Sequence, residues 1–168
     1  MANELIMGWS TCSAKIGKTG AADALATTWT SVGVIKDRST TLEVADGDKL
    51  QAKASGGIVV AQEVGEGEIT LKMRVIEPTF EFEAALTGAT PDATKGELKV
   101  TSNVVVDDMS VEVTPKNIGA TGIRIRKSSL VYKPGYSEEE GNYADLTFTV
   151  LACADKELYT KFKTKAAV

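Results

Sequence analysis

A chain of 168 residues, 43% hydrophobic and 25% charged, has the size and make-up of one globular domain. Its 19 basic and 23 acidic residues leave net −4, without the basic surplus that phosphate contacts require of a protein that grips nucleic acid. The sequence has no histidine, which removes Ser-His and Cys-His nucleophiles and imidazole zinc ligands; its two cysteines are too few for a thiolate cage.

Val, Ile and Thr supply 44 of the 168 residues, a β-branched density that points to strands. Met1–Gly8 lacks the basic and apolar regions of a signal peptide. No apolar run approaches the ~18 residues that span a bilayer. The expectation is a soluble protein of a reducing cytoplasm, with Cys12 and Cys153 as free thiols and no membrane partner.

In chain order, the first strand signal is Trp29–Ile35, rich in Thr and Val. Thr41–Ala45 and Lys49–Ala54 flank Asp46-Gly47, which predicts a tight hairpin because Asp and Gly favour left-handed turn positions. Ile58–Val64 follows a turn at Ser55-Gly56-Gly57, and Gly65-Glu66-Gly67 reads as another turn. Gly67–Ile76 has the clearest period of two: Ile69, Leu71, Met73 and Val75 on one side, Glu68, Thr70, Lys72 and Arg74 on the other. The period then changes. Phe82, Ala85 and Leu86 share a helical face, with Pro78 or Thr79 suited to the start and Gly88 to the stop. This predicts a short helix over about 78–87, followed by a loop over Ala89–Gly96.

Further alternating strands are expected at Glu97–Val105, Met109–Val113, around Ile123 and Ile125, and over Leu146, Phe148 and Val150. Asp107-Asp108 and Lys133-Pro134-Gly135 read as turns. Asp155–Lys165 fits a helix by Leu158, Tyr159 and Phe162, and a strand by its alternating lysines. Runs of half-polar strands with one helix between them indicate a mainly β sandwich or barrel.

Motifs that could carry chemistry fail on their spacing. Gly17-Lys18-Thr19 resembles the end of a phosphate-binding loop, but Cys12 stands where the first glycine is needed, so a strand end with a turn at Gly20 is expected. Asp46-Gly47-Asp48 and Asp107-Asp108 lack the ligand series of a calcium loop. Glu138-Glu139-Glu140 reads as a solvated like-charge run. Arg124, Arg126 and Lys127 form a basic stripe, read equally as a solvated face or as an ionic contact with a neighbouring subunit. Trp9 and Trp29 are expected as core or interface anchors. What remains is a set of polar-faced strands without catalytic chemistry, the profile of a structural protein rather than an enzyme. A sheet edge left open is a liability in a monomer and useful in an assembly.

From Trp29 to Gly88 the order of features resembles the tail tube (major tail) proteins of bacteriophages, which are related in fold to the tube proteins of contractile injection systems and type VI secretion. The features are the Thr-rich strand Trp29–Ile35, the hairpin region Lys36–Gly67, the alternating strand Gly67–Ile76 and the helix Pro78–Thr87 that follows it directly. The pattern extends over roughly the whole chain. The resemblance implies one tail-tube-like sandwich or barrel domain over 1–168, with an N-terminal arm over about 1–10 and a long loop or hairpin region over about 36–66. It implies stacked, hexameric rings of this chain, contacts with other tail proteins, and DNA passing through the lumen without specific binding. It also implies assembly in the bacterial host cytoplasm, residence in the virion tail, and no cofactor or metal. Within that expectation Glu68, Thr70, Lys72 and Arg74 are the candidate lumen strand. Lys72 and Arg74 are expected to pair with acids from the same or adjacent strands, Glu63, Glu66 and Glu68 being nearest in sequence. Leu50, Ile58, Val59, Val60, Arg124 and Arg126 are the candidate inter-subunit contacts. The alternatives are a tube protein of a contractile injection system, or a non-catalytic β-sandwich that binds a carbohydrate or a protein.

Overall fold

A computed structural model describes residues 12–101 and 107–166. The chain is mainly β, a curled half-barrel sheet with one short helix. The strands are β1 (Cys12–Lys18), β2 (Thr30–Ser31), β3 (Val34–Ile35), β4 (Thr41–Val44), β5 (Lys49–Lys53), β6 (Val59–Val64) and β7 (Ile69–Ile76). After the helix α1 (Phe80–Thr87) come β8 (Pro91–Asp92), β9 (Glu97–Leu98), β10 (Met109–Pro115), β11 (Thr121–Ser137), β12 (Gly141–Val150) and β13 (Thr160–Lys163).

The main sheet runs β2-β1-β10-β11-β12-β7-β3, with β13 added to β11 and β4 to β7. Its two end strands, β2 and β3, are joined by Val32 and Gly33 alone. The sheet therefore curls until its ends nearly meet. Val32 is fully buried at that junction, and Gly33 takes the positive φ of 89° that turns the chain from one end strand to the other. The expected single strand Trp29–Ile35 is thus two short strands on opposite ends of the sheet.

Period-two patterning decides which face is buried. Leu71, Met73 and Val75 of β7, Leu146 and Phe148 of β12, Val111 and Val113 of β10, and Ala14 and Ile16 of β1 fill one core. Phe82 and Leu86 of α1 close it. Each large apolar side chain so buried contributes about 1.5–3 kcal/mol. The Thr79 side chain caps α1 by accepting from the Phe82 amide at 3.2 Å, and Gly88 ends it at φ 70°. The buried face of the helix is Phe82, Glu83, Leu86 and Thr87; Ala85 lies exposed. Glu83 is tolerated there because the Tyr132 hydroxyl donates to its Oε1 at 2.6 Å. Burial, then that bond, push the Tyr132 phenol well above its usual range.

Several turns fall elsewhere than expected. β4 pairs with β7, not with β5, so no hairpin closes at Asp46-Gly47. The two strands run on past the body and pair again as β5 with β6. Between the two paired stretches, Ala45 N donates to Glu68 O and Gly65 N to Asp48 O, both at 2.8 Å. Asp46–Asp48 and Gly65–Gly67 are thus opposite sides of one ribbon rather than two turns. Glycine is required there: a Cβ on Gly47 would strike Gly65 O, and one on Gly67 would strike Ala45 O.

Lys133-Pro134-Gly135 is likewise no turn. β11 runs 17 residues through it and reverses only between Ser137 and Gly141. Beyond Ser128, β11 pairs only with β12 among the described residues, and a strand with one free side accepts proline. Residues 89–96 include β8, which pairs with β9. Of the expected strand 97–105, Glu97–Leu98 is a strand and 99–101 is not, while 102–105 lie outside the described residues, as do the expected N-terminal arm 1–10 and Trp9. The C-terminal ambiguity resolves as a strand, β13. Cys12 and Cys153 are free thiols, Cys153 buried and its pKa raised by that burial.

Candidate functional site

Two surfaces stand out. The first is the face of β4, β7, β12 and β11 turned away from the core. Register places Glu43, Thr70, Thr149 and Ser129 in one row, then Thr41, Lys72, Thr147 and Val131, then Arg74, Asp145 and Lys133. The candidate lumen residues Thr70, Lys72 and Arg74 therefore share one face with other polar side chains, and exposed Glu68 continues it at the end of β7.

Most charges on this face are matched. Lys72 Nζ lies 3.4 Å from Glu43 Oε2. Arg74 holds Asp145 through Nε at 2.7 Å and Nη2 at 3.0 Å, and reaches Glu140 Oε2 through Nη1 at 2.7 Å. Glu140 also bonds Lys36, and these two cations hold its carboxyl below the usual range, Lys36 contributing most. Glu140 is thus folded back onto the sheet, its side chain 15% exposed, rather than solvated with Glu138 and Glu139. The partners do come from adjacent strands, Glu43 of β4 and Asp145 of β12, joined by Glu140 of the β11–β12 turn, but they are not the sequence neighbours Glu63, Glu66 and Glu68. Strand pairing and a turn bring distant acids alongside, which sequence distance does not reveal. Lys133 has no ion-pair partner among the described residues.

The second surface is the ribbon beyond the joint. Every residue of β5 and β6 is exposed, and a turn at Ser55-Gly56-Gly57 forms the tip. Of the candidate contacts, Leu50 (69% exposed), Ile58, Val59 and Val60 (64%) all lie on this arm, and Val64 joins them. The two strands are bonded to each other, with Gln51 and Gln62 linked side chain to side chain at 2.9 Å.

The other two candidate contacts are placed differently. Arg124 bonds Glu112 at 2.7 Å on β10, where Lys15 of β1 also lies, 3.4 Å away. Arg126 pairs with Asp155 and Glu157, and Lys127 with Asp23 at 3.0 Å. An extra residue in β11 opposite β10 puts Arg126 and Lys127 side by side at a bulge, which explains a stripe that strict alternation would split. Buried Ser110 and Ser128 donate to Arg126 O and Met109 O at this irregularity. The stripe is therefore engaged within the chain, and its Arg126 ties the segment after β12 to the body.

Gly17 lies within β1 against Thr28 O, not in a phosphate cradle. Trp29 is half-buried, with Lys15 Nζ 4.8 Å above its ring. Among the described residues, no group of three or more His, Cys, Asp or Glu is placed to hold a metal, and no helix is long and apolar enough to cross a membrane. No family model and no curated protein matches the chain.

Proposed function

We propose that this chain is a structural protein that polymerises as stacked rings to form the hollow tube of a phage tail, a conduit for DNA. The observation that carries this reading is the arm Lys49–Val64. It is a two-stranded hairpin, exposed throughout, that presents Leu50, Val59, Val60 and Val64 to solvent. An isolated two-stranded hairpin is marginal in water, and apolar side chains on a projecting ribbon call for a partner surface. In the tube that surface belongs to neighbouring subunits. The face of β4, β7, β12 and β11, on which Lys72 and Arg74 are held by acids and Lys133 alone of its strand cations lacks an ion-pair partner among the described residues, suits a channel wall, because cations held by acids do not add phosphate contacts that would slow DNA.

Sedimentation and hydrogen exchange on the same samples test the reading. Large assemblies should form at high concentration, and amides 49–64 should gain protection only in them. Equal protection of the arm in monomer and assembly would show that it belongs to the subunit's own fold and contradict the proposal.

A further inference from the structure

The chain after β12 lies on the body as a strap, and little apolar area holds it there. Of residues 151–166 only Cys153 is buried, and the core takes only half-buried Tyr159 from the segment. Its strand β13 adds four residues to the edge of β11. Beyond them, Thr164 O accepts from the Gly119 amide at 2.8 Å, and the Thr164 amide donates to Ala120 O at 2.9 Å. Phe162 covers Gly122, with the Arg124 guanidinium 5.1 Å from its ring centre.

Much of the remaining hold is ionic. Arg126 bonds Asp155 Oδ2 at 2.8 Å and also Glu157, and its Nε donates to Asp23 O at 3.0 Å. Asp23 meets Lys127 Nζ at 3.0 Å through Oδ1 and accepts from the Ala154 amide at 3.0 Å through Oδ2. Asp108 lies 3.9 Å from Lys127, and the Thr160 hydroxyl donates to Glu157 Oε1 at 2.6 Å. The Cys153 thiol sits among these charges. Exposed Lys156, whose amide donates to Cys153 O at 2.8 Å, has no ion-pair partner among the described residues. Backbone strain gathers at the same contacts: Ala22, Asp23 and Lys156 take φ of 53°, 58° and 65°, a region that side chains disfavour.

We propose that residues 151–166 are an acid-released strap: protonation of Asp23, Asp155 and Glu157 frees the segment while the core stays folded, and uncovers the Cys153 thiol and the β11 edge Thr121–Arg124. The strap works within one subunit and does not depend on assembly. All three carboxyls are held below their ordinary values, Asp23 chiefly by Lys127, Asp155 by Arg126, and Glu157 by Thr160 and then Arg126. Their hold is therefore present above the ordinary values, 3.8 for the aspartates and 4.5 for Glu157, and is lost as pH falls through the lower folded ones. Release also relaxes the strained backbone and opens a strand edge that neutral pH keeps paired.

The full chain carrying Cys12→Ser leaves Cys153 as its one thiol, and serine keeps a hydroxyl for the contact that Cys12 makes with Thr40. Labelling by dithiodipyridine, which reacts with thiols in acid as well as at neutral pH, is timed from neutral pH down to the carboxylate range. Each rate is divided by that of the denatured chain at the same pH. The ratio should rise roughly tenfold or more on acidification, while amides of β7 and β12 keep their hydrogen-exchange protection. At neutral pH, Asp23→Asn and the pair Asp155→Asn with Glu157→Gln should each raise the ratio, whereas Glu140→Gln, which breaks ion pairs elsewhere, should not. A ratio that stays flat with pH would overturn the strap. So would charge variants that label no faster than Glu140→Gln, or a thiol that reacts only once β7 and β12 lose protection.

Discussion

Arg74 and Asp145, on neighbouring strands of one polar face, meet in a two-pronged contact with Nε–Oδ1 at 2.7 Å and Nη2–Oδ2 at 3.0 Å. The planar guanidinium matches the carboxylate edge, a geometry lysine cannot reproduce. With Glu43 beside Lys72, this cancels the positive field where DNA is proposed to pass. Asp145→Asn combined with Glu43→Gln should therefore create DNA retention that the unmodified protein lacks. Measured against salt, each cation engaged should steepen the log–log slope by about 0.9. Equal binding by both proteins would show that the acids do not shield the face.

Acid should loosen the fold. Glu140, Asp23, Asp155 and Glu157 are all held below their usual values. The chief causes are Lys36 for Glu140, Lys127 for Asp23, Arg126 for Asp155, and Thr160 followed by Arg126 for Glu157. A depressed carboxyl contributes stability above its unfolded value, 4.5 for Glu140, and loses it as pH falls through the lower folded value. Thermal unfolding followed by circular dichroism should decline steeply below pH 4.5, and Glu140→Gln should flatten the decline. Stability that rises on acidification would contradict these pairings.

Tyr132→Phe should destabilise the domain by about 1–3 kcal/mol, because it removes the hydroxyl that satisfies buried Glu83. Denaturant unfolding should show a lower midpoint with an unchanged slope. An unchanged midpoint would mean that water replaces the hydroxyl at no cost.

Legibility followed the range of each physical signal. The faces of β7 and β12 and the caps of α1 were readable because alternation and capping are local: Leu71 against Lys72, Thr79 and Gly88. Asp46-Gly47 and Gly65-Glu66-Gly67 were misread as separate turns because glycine marks close backbone approach as readily as reversal, and only strand pairing sets the two opposite one another. The partners of Lys72 and Arg74 were out of reach for the same reason: Arg74 and Asp145 are 71 positions apart. Of the candidate contacts, Leu50, Ile58, Val59 and Val60 lie exposed on the arm, whereas Arg124 and Arg126 are engaged by Glu112, Asp155 and Glu157 of the same chain, acids that strand pairing and the chain after β12 bring alongside and that sequence distance does not reveal.

Gly67→Ala should damage the arm selectively. A side chain there strikes Ala45 O at the joint, whereas the core lies on the far side of Ile69. Amides 49–64 should lose hydrogen-exchange protection, those of β10–β12 should keep it, and assembly should fail. Uniform loss of protection would place the joint inside the cooperative body of the fold.

The most direct test of the tube itself is negative-stain microscopy of the concentrated, unmodified protein beside a chain in which Lys49–Val64 is replaced by a short Gly-Ser turn. Hollow tubes of stacked rings should appear for the unmodified chain and vanish for the armless one. Dispersed single subunits from the unmodified protein at every concentration and salt, or tubes that persist without the arm, would contradict the account.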